Sequence, residues 1–197
     1  MSTNRTAQIG AILLLLVGLV GSPAVMATTV SIQPPSSTYS VGDSFSLSIN
    51  ISDVTDLYAF QFDIGFSPSI LAAMGISEGT FLSGGVRTTN YIPGTIDNIT
   101  GTVTFTADTL QDMIPGVMGS GSLATIDFNA LDMGTSVVSL SNVILLDSNG
   151  NYISASIENG NITVNPAVIP APEPGVLWLI LSAFPSLLYL SGKSRRH

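Results

Sequence analysis

The sequence predicts an all-β fold, a two-sheet antiparallel β-sandwich of jelly-roll type with about nine strands. Apolar and polar residues alternate with a period of two from residue 28 to residue 165, and no segment there repeats with the 3.6-residue period of a helix. Gly, Asn, Asp and Pro separate the alternating segments at short intervals. Strands with one apolar face bury that face only against a second layer, so a sandwich is the simplest arrangement.

The predicted strands differ in how clearly their residues alternate. Segment 45–51 is the clearest, because Phe45, Leu47, Ile49 and Ile51 share one face and polar residues occupy the other. Further strands are predicted at residues 29–32, 101–107, 123–131, 136–140, 143–146, 152–157 and 161–164.

The aromatic segment 58–66 repeats the same alternation. It places aromatic and aliphatic residues on one face and Ala59, Gln61 and Asp63 on the other. The next segment, 67–73, predicts a turn or a single helical turn.

The first 27 residues have the layout of a secretory signal peptide. Arg5 lies in a short polar start, residues 9–20 are apolar, and segment 22–27 ends in the small Ala27, with Val25 two residues before it. We therefore expect cleavage between Ala27 and Thr28. The alternative is an uncleaved membrane anchor, although twelve apolar residues are short for a span of about 20.

A second apolar run, residues 175–190, lies near the C-terminus. As a helix it would be ~24 Å long, and the basic residues Lys193, Arg195 and Arg196 follow it. Basic residues on the cytoplasmic side would leave the preceding domain outside the inner membrane.

The motif Pro172-Glu173-Pro174 immediately precedes this run. The Pro-Glu-Pro triplet, the apolar helix and the basic end, in this order, resemble the PEP-CTERM sorting signal, which is also called the ice-binding protein C-terminal domain. The resemblance implies processing by an exosortase and a place at the cell surface, outer envelope or extracellular matrix of a Gram-negative bacterium. The alternative is a plain membrane anchor after a proline-rich linker. The predicted organisation is a signal peptide (1–27), a sandwich domain (28–165), a linker (166–174) and a sorting helix with its tail (175–197).

Charge and composition exclude several function classes for the sandwich domain. It contains twelve acidic residues and one basic residue, Arg87, for a formal net charge of −11. Nucleic-acid binding needs clustered Lys and Arg, so it is excluded. The chain has no Cys, and its only histidine is His197 in the tail. These absences exclude Ser–His and Cys–His nucleophilic sites and His/Cys zinc sites from the domain.

Three kinds of functional site are still compatible with the composition of the sandwich domain. Carboxylate pairs could serve as acid and base in a glycosidase, or they could simply be solvated loop residues; the candidate pairs are Asp108 with Asp112 and Asp53 with Asp56. Tyrosines could stack on sugars, or they could be strand-edge residues; the candidates are Tyr39, Tyr91 and Tyr152. Segment 147–151 resembles a calcium loop whose twelfth residue is Glu158, but its glycine is fourth instead of sixth.

The order of the segments between residues 30 and 164 resembles the cohesin domain family. The matching pieces are the proline-containing strand 30–35, the turn 41–43, the strand end 66–68, Leu71, and the segments 78–82, 101–105, 121–128 and 158–164. The resemblance implies a nine-stranded jelly roll that binds a dockerin-like protein, or a module of an extracellular polysaccharide-handling system. It also makes Ala59, Gln61 and Asp63 the candidate partner-binding face. Cellulosomal cohesins carry Asn and Asp where this chain has Ala59 and Gln61.

These observations together predict an exported, non-catalytic binding module with a protein or polysaccharide partner, and with no cofactor except a possible calcium ion. The alternatives are a polysaccharide-active enzyme that uses paired Asp residues and a purely structural surface protein.

Overall fold

Eleven strands and one helical turn make up the part of the chain that the computed structural model describes, residues 27–34, 36–84 and 87–167. The predicted signal peptide up to residue 26 and the predicted sorting signal lie outside these residues. Among the described residues, no helix has the length and apolar character needed to cross a membrane.

In chain order, the elements are β1 (Thr29–Gln33), β2 (Ser36–Ser40), β3 (Ser44–Leu57), β4 (Ala59–Gly65), β5 (Leu71–Glu78), α1 (Thr80–Ser83), β6 (Thr95–Asp97), β7 (Thr102–Thr109), β8 (Val117–Ala130), β9 (Gly134–Leu146), β10 (Ser156–Glu158) and β11 (Gly160–Asn165). They form a five-stranded sheet in the order β10-β1-β3-β8-β5 and a six-stranded sheet in the order β2-β11-β9-β4-β7-β6. This two-layer sandwich confirms the predicted all-β fold class.

Two edge pairs depart from the antiparallel prediction. β1 pairs with β10 in parallel, and β2 pairs with β11 in parallel, whereas all other strand pairs of the described residues are antiparallel. The two sheets are therefore mixed. Chain direction at a sheet edge depends on how the two chain ends meet, which alternation does not report.

The number and bounds of the strands also differ from the prediction. β2, β5 and β6 were not predicted, because β2 is mostly serine, β5 begins with Leu-Ala-Ala-Met and β6 has only three residues. The predicted strands 136–140 and 143–146 form one strand, β9, which is interrupted by a bulge at Asn142. The predicted strand 152–157 is wrong over most of its length, because only Ser156–Glu158 forms a strand and Tyr152 makes a single bridge. The predicted turn after β4 is present, with the N–H groups of Ile70 and Leu71 bonded to Ser67 O.

The core lies between the two sheets and is built from the apolar faces of their strands. Phe128 of the five-stranded sheet lies with its ring centroid 5.8 Å from that of Phe45 and 5.2 Å from that of Phe66, which follows β4 of the six-stranded sheet. All three rings are buried. Because each buried Phe contributes about 1.5–3 kcal/mol of hydrophobic stabilisation, this cluster is a main contact between the layers.

Candidate partner-binding face

The three residues predicted to face a partner lie on the outer side of β4. Ala59, Gln61 and Asp63 are half-buried, whereas Phe60 and Phe62 between them are buried in the core. β4 is flanked by β9 and β7 in the six-stranded sheet. The outer sides of β9, β4 and β7 therefore form one surface, which we call the partner face.

A pocket of about 200 Å³ opens on the partner face beside the first two of these residues. The strand register places Leu146 beside Ala59, and Ile144 and Ala107 beside the following outward residue. Phe60 and Ile92 complete the apolar part of the lining, and Asn90, Asp108 and Thr109 add to its polar part. We call this site the apolar pocket, and its lining suits an aliphatic or aromatic side chain.

The wall of the apolar pocket is an irregular segment that pairs with β7. The N–H of Ile92 donates to Ala107 O at 2.7 Å, and the N–H of Ala107 donates to Ile92 O at 3.0 Å. The N–H of Asn90 donates to Thr109 O at 2.9 Å. These bonds hold residues 90–92 against β7, so the wall is part of the hydrogen-bonded sheet. Sequence alternation missed this segment, because it forms isolated bridges instead of a strand.

Asp63 bonds to both neighbouring strands. Its Oδ1 accepts a hydrogen bond from the N–H of Phe105 at 2.7 Å, and its Oδ2 accepts one from Asn142 Nδ2 at 2.6 Å. Phe105 and Asn142 both have left-handed backbones, with φ of 60° and 51°, and the register of β4 shifts here against both β7 and β9. Asp63 thus stabilises two facing bulges, and its carboxylate is already engaged before any partner binds.

Large apolar side chains are exposed on the strands of the partner face. Phe105 of β7 is 52% exposed, because its bulge turns it out of the core, and Val137 of β9 is 56% exposed. Exposed apolar groups on the same face as an apolar pocket are typical of protein-binding surfaces.

A buried carboxyl pair lies on the inner side of this region. Asp108 of β7 is only 2% exposed. Its Oδ1 accepts a hydrogen bond from the N–H of Thr109 at 2.8 Å, whereas its Oδ2 is buried without a partner among the described residues. Burial, and then the charge of Glu78 at the end of β5, raises the pKa of Asp108 to about 7. We call Asp108 and Glu78 the carboxyl pair.

Two neighbours surround the carboxyl pair. Thr89 Oγ1 donates a hydrogen bond to Glu78 Oε1 at 2.7 Å. The hydroxyl of Tyr91 is buried without a partner among the described residues, and burial, followed by the charge of Asp108, raises the pKa of Tyr91. The charge that acts on Asp108 is that of Glu78, whereas Asp112, its predicted partner for acid and base chemistry, is exposed on a loop. The sequence carried no signal for the carboxyl pair, whose members are thirty residues apart.

The other two predicted carboxylates, Asp53 and Asp56, both lie on β3. Asp56 Oδ1 accepts from the N–H of Gly116 at 2.7 Å, and Asp56 Oδ2 accepts from Ser148 Oγ at 2.7 Å. Asp53, its predicted partner for acid and base chemistry, is exposed, with a φ of 56°.

The predicted calcium loop does not bring its ligands together. Asp147 Oδ1 accepts from the N–H groups of Asn149 and Asn151, and Asp147 Oδ2 accepts from the Asn151 amide. These bonds, that from the Asn151 side chain first, lower the pKa of Asp147. Glu158 lies in β10 of the other sheet. Across the described residues, no three acidic or histidine side chains gather as metal ligands.

The three candidate sugar-stacking tyrosines have different environments. Tyr39 stacks on Phe45 with ring centroids 3.8 Å apart, and Tyr91 is half-buried. Tyr152 is 79% exposed. Of the three, only Tyr152 presents most of its ring to solvent.

Known proteins share this architecture. A non-cellulosomal cohesin from the archaeon Archaeoglobus fulgidus is similar with a TM-score of 0.56 and 15% identity, over 71% of this chain and 92% of that chain. A type II cohesin from the cellulosome of Acetivibrio cellulolyticus is similar with a TM-score of 0.58 and 21% identity, over 70% and 95%. A type I cohesin–dockerin complex from Clostridium thermocellum is similar with a TM-score of 0.59 and 10% identity, over 72% and 95%. These similarities show the fold.

A comparison with curated protein sequences finds no relative. The family model described as the cohesin domain matches residues 28–164, more than two thirds of the chain. The chain therefore belongs to the cohesin domain family.

Proposed function

We propose that this protein is an exported, non-catalytic binding module that captures a dockerin-like protein on its partner face. The observation that carries the proposal is the apolar pocket, which opens on that face where β4 begins and β7 and β9 end, with the exposed Phe105 on the same strand as its lining residue Ala107. The similar structure from Clostridium thermocellum is a complex with a dockerin, which supports the same class of partner.

The chemistry of the face defines the partner more closely. Ala59 and Gln61 stand where the resemblance expects Asn and Asp, and Asp63 is bonded to Phe105 and Asn142. Contact between apolar side chains is therefore the main favourable interaction that this face can make with a partner. The partner should insert an aliphatic or aromatic side chain into the apolar pocket, in the manner of an interface hot spot.

A single substitution in the pocket tests this proposal. Ile144→Asp places a carboxylate in the apolar lining, and Ile157→Asp is the matched control on the five-stranded sheet. With the full chain purified in detergent, titration calorimetry against dockerin-bearing proteins of the source organism should show binding about 30-fold weaker for Ile144→Asp only, equivalent to about 2 kcal/mol. Equal affinities for the two variants, or no binding by the unaltered chain, would contradict the proposal.

We also propose that the chain ends direct export and sorting. Removal of the signal peptide after Ala27 would release Thr28 as the first residue, and an exosortase would process the tail that follows Pro172-Glu173-Pro174. Before processing, the apolar helix would hold the protein in the inner membrane, with the domain outside. The order of triplet, apolar run and basic end supports this route to the cell surface or matrix. Mass spectrometry of the protein from its native host tests it, because an intact His197 terminus would contradict tail removal.

The non-catalytic part of the proposal is supported by the state of the acidic residues. Asp108 is buried between the sheets, and Asp56 is bonded to two loops. The segment between Thr28 and Pro172 contains no His, Cys or Lys. Glycan hydrolysis that is lost on Asp108→Asn or Asp112→Asn substitution would instead establish the enzyme alternative.

A further inference from the structure

The outer face of the five-stranded sheet carries a groove of about 620 Å³, on the opposite side of the sandwich from the partner face. Its lining comes from β1, β3, β8, β10 and the ends of these strands, and most of it consists of hydroxyl and amide side chains: Thr29, Ser31, Gln33, Asn50, Ser52 and Ser120. Glu158 adds the only carboxylate of the lining. We call this site the polar groove. Its volume is within the range of small-molecule and oligosaccharide-sized sites.

The shape of the polar groove follows from small residues on β8. From position 119 to position 122 this strand has only Gly and Ser, so no large side chain rises from that side. Ser120 and Gly121 of this segment line the groove. The groove therefore has only small residues along its β8 side.

The strand register arranges the polar groups in rows across the sheet. Ser31 is beside Glu158 on one side and Asn50 on the other, and Asn50 is beside Ser122. At about 4.8 Å between strands, this row is about 14 Å long. A second row, in which Thr29 is beside Ser52, runs next to it. Such rows offer donors and acceptors at regular spacing to an extended ligand.

The central residue of the first row has an unsatisfied acceptor. Asn50 Oδ1 is buried and has no hydrogen-bond partner among the described residues. A buried acceptor without a donor is costly, and Asn50 is one of the residues that line the groove. A ligand hydroxyl can supply the missing donor there.

The charge of the groove selects the class of ligand. Arg87 is the only basic residue among those the structure describes, and it does not line the groove. Phosphate, sulfate or uronate groups would therefore find no cation and would meet Glu158. Hydroxyls that both donate and accept match a lining of hydroxyls, amides and one carboxylate.

We propose that the polar groove binds a neutral, hydroxyl-rich glycan, so that the domain holds a protein on one sheet and a polysaccharide on the other. The proposal rests on the proposed function only in that the domain must be exported to where glycans are present. It uses none of the residues of the partner face.

Affinity electrophoresis of the full chain in detergent tests the proposal. The gels contain a mixed-linkage β-glucan, a galactomannan or dextran, which are neutral, or alginate, which is anionic. Ser31→Leu removes a hydroxyl and fills the groove, and Asn50→Leu removes the amide at its centre. Ser77→Leu is the matched control, on the same sheet but outside the groove.

We expect at least one neutral glycan to retard the unaltered chain and Ser77→Leu, with binding about tenfold weaker for Ser31→Leu and Asn50→Leu. Circular dichroism identifies a variant that fails to fold. If one of the two groove variants fails to fold, the retardation of the other tests the proposal. Retardation by alginate alone, by none of the neutral glycans, or equally for Ser31→Leu and Ser77→Leu would overturn the proposal. Ile144→Asp separates it from the proposed function, because that variant should lose the protein partner and keep the glycan.

Discussion

Replacing Asp108 with Asn should remove a large part of the pH dependence of the domain's stability. In the unfolded chain this carboxyl group ionises near its ordinary pKa of 3.8, whereas in the folded protein its pKa is about 7. Between these values the folded state holds a proton that the unfolded state has lost. The stabilisation by this proton is complete below pH 3.8 and is lost as the pH rises through 7.

The size of the effect follows from the same pKa. At pH 5, two units below the folded value, the proton contributes about 3 kcal/mol to the free energy of unfolding, and at pH 8 it contributes almost nothing. Asn resembles the protonated acid, because it is uncharged and its oxygen can still accept from the N–H of Thr109. At pH 8, Asp108→Asn should therefore keep the stabilisation that the unaltered protein loses when Asp108 ionises.

Urea unfolding followed by circular dichroism at pH 5, 6, 7 and 8 measures this difference. Asp112→Asn, on an exposed loop, is the control and should follow the unaltered protein. Glu78→Gln should flatten the profile less than Asp108→Asn does, because burial is the larger cause of the raised pKa. If the profiles of the unaltered protein and Asp108→Asn stay parallel within about 0.5 kcal/mol, the reasoning on the carboxyl pair is refuted.

Substitutions at two further positions test the sandwich itself by urea unfolding at pH 7. Asp63→Ala removes two charge-assisted bonds, at 2.7 and 2.6 Å, and should cost about 2 kcal/mol, with about half that for Asp63→Asn; a cost below about 0.5 kcal/mol would show that Asp63 does not hold the two bulges. Phe128→Ala should cost about 3–5 kcal/mol, because its ring is buried between those of Phe45 and Phe66; a cost below about 1.5 kcal/mol would mean that this cluster is not a main contact between the layers.

The alternation of apolar and polar residues predicted the strands that have one buried face and one solvent-exposed face. β3 and β4 follow it closely, since Leu47, Ile49, Phe60 and Phe62 are all buried. It failed where a strand changes faces. At Asn142 a bulge shifts the register, so one strand resembled two in the sequence.

The candidate site could be predicted only in part. The period-two alternation of β4 predicted which residues face outward, so Ala59 and Gln61 were placed on the outer face. The apolar pocket could not be predicted in this way, because Ile92, Ala107 and Ile144 come from distant segments that only the strand register brings together. The carboxyl pair was missed for the same reason. Contacts between residues on different strands depend on topology, which a local pattern does not contain.

The two parallel edge pairs affect how the domain should respond to tension. β1 and β2 follow each other along the chain, β1 in the five-stranded sheet and β2 at the edge of the six-stranded sheet. β10 and β11 run beside them in the same direction, so the chain enters at one end of the sandwich and leaves at the other. A pull between the segments before β1 and after β11 would slide these pairs lengthwise, and their hydrogen bonds would share the load instead of opening one by one. A module that links a partner to an anchored surface under flow would benefit from this geometry.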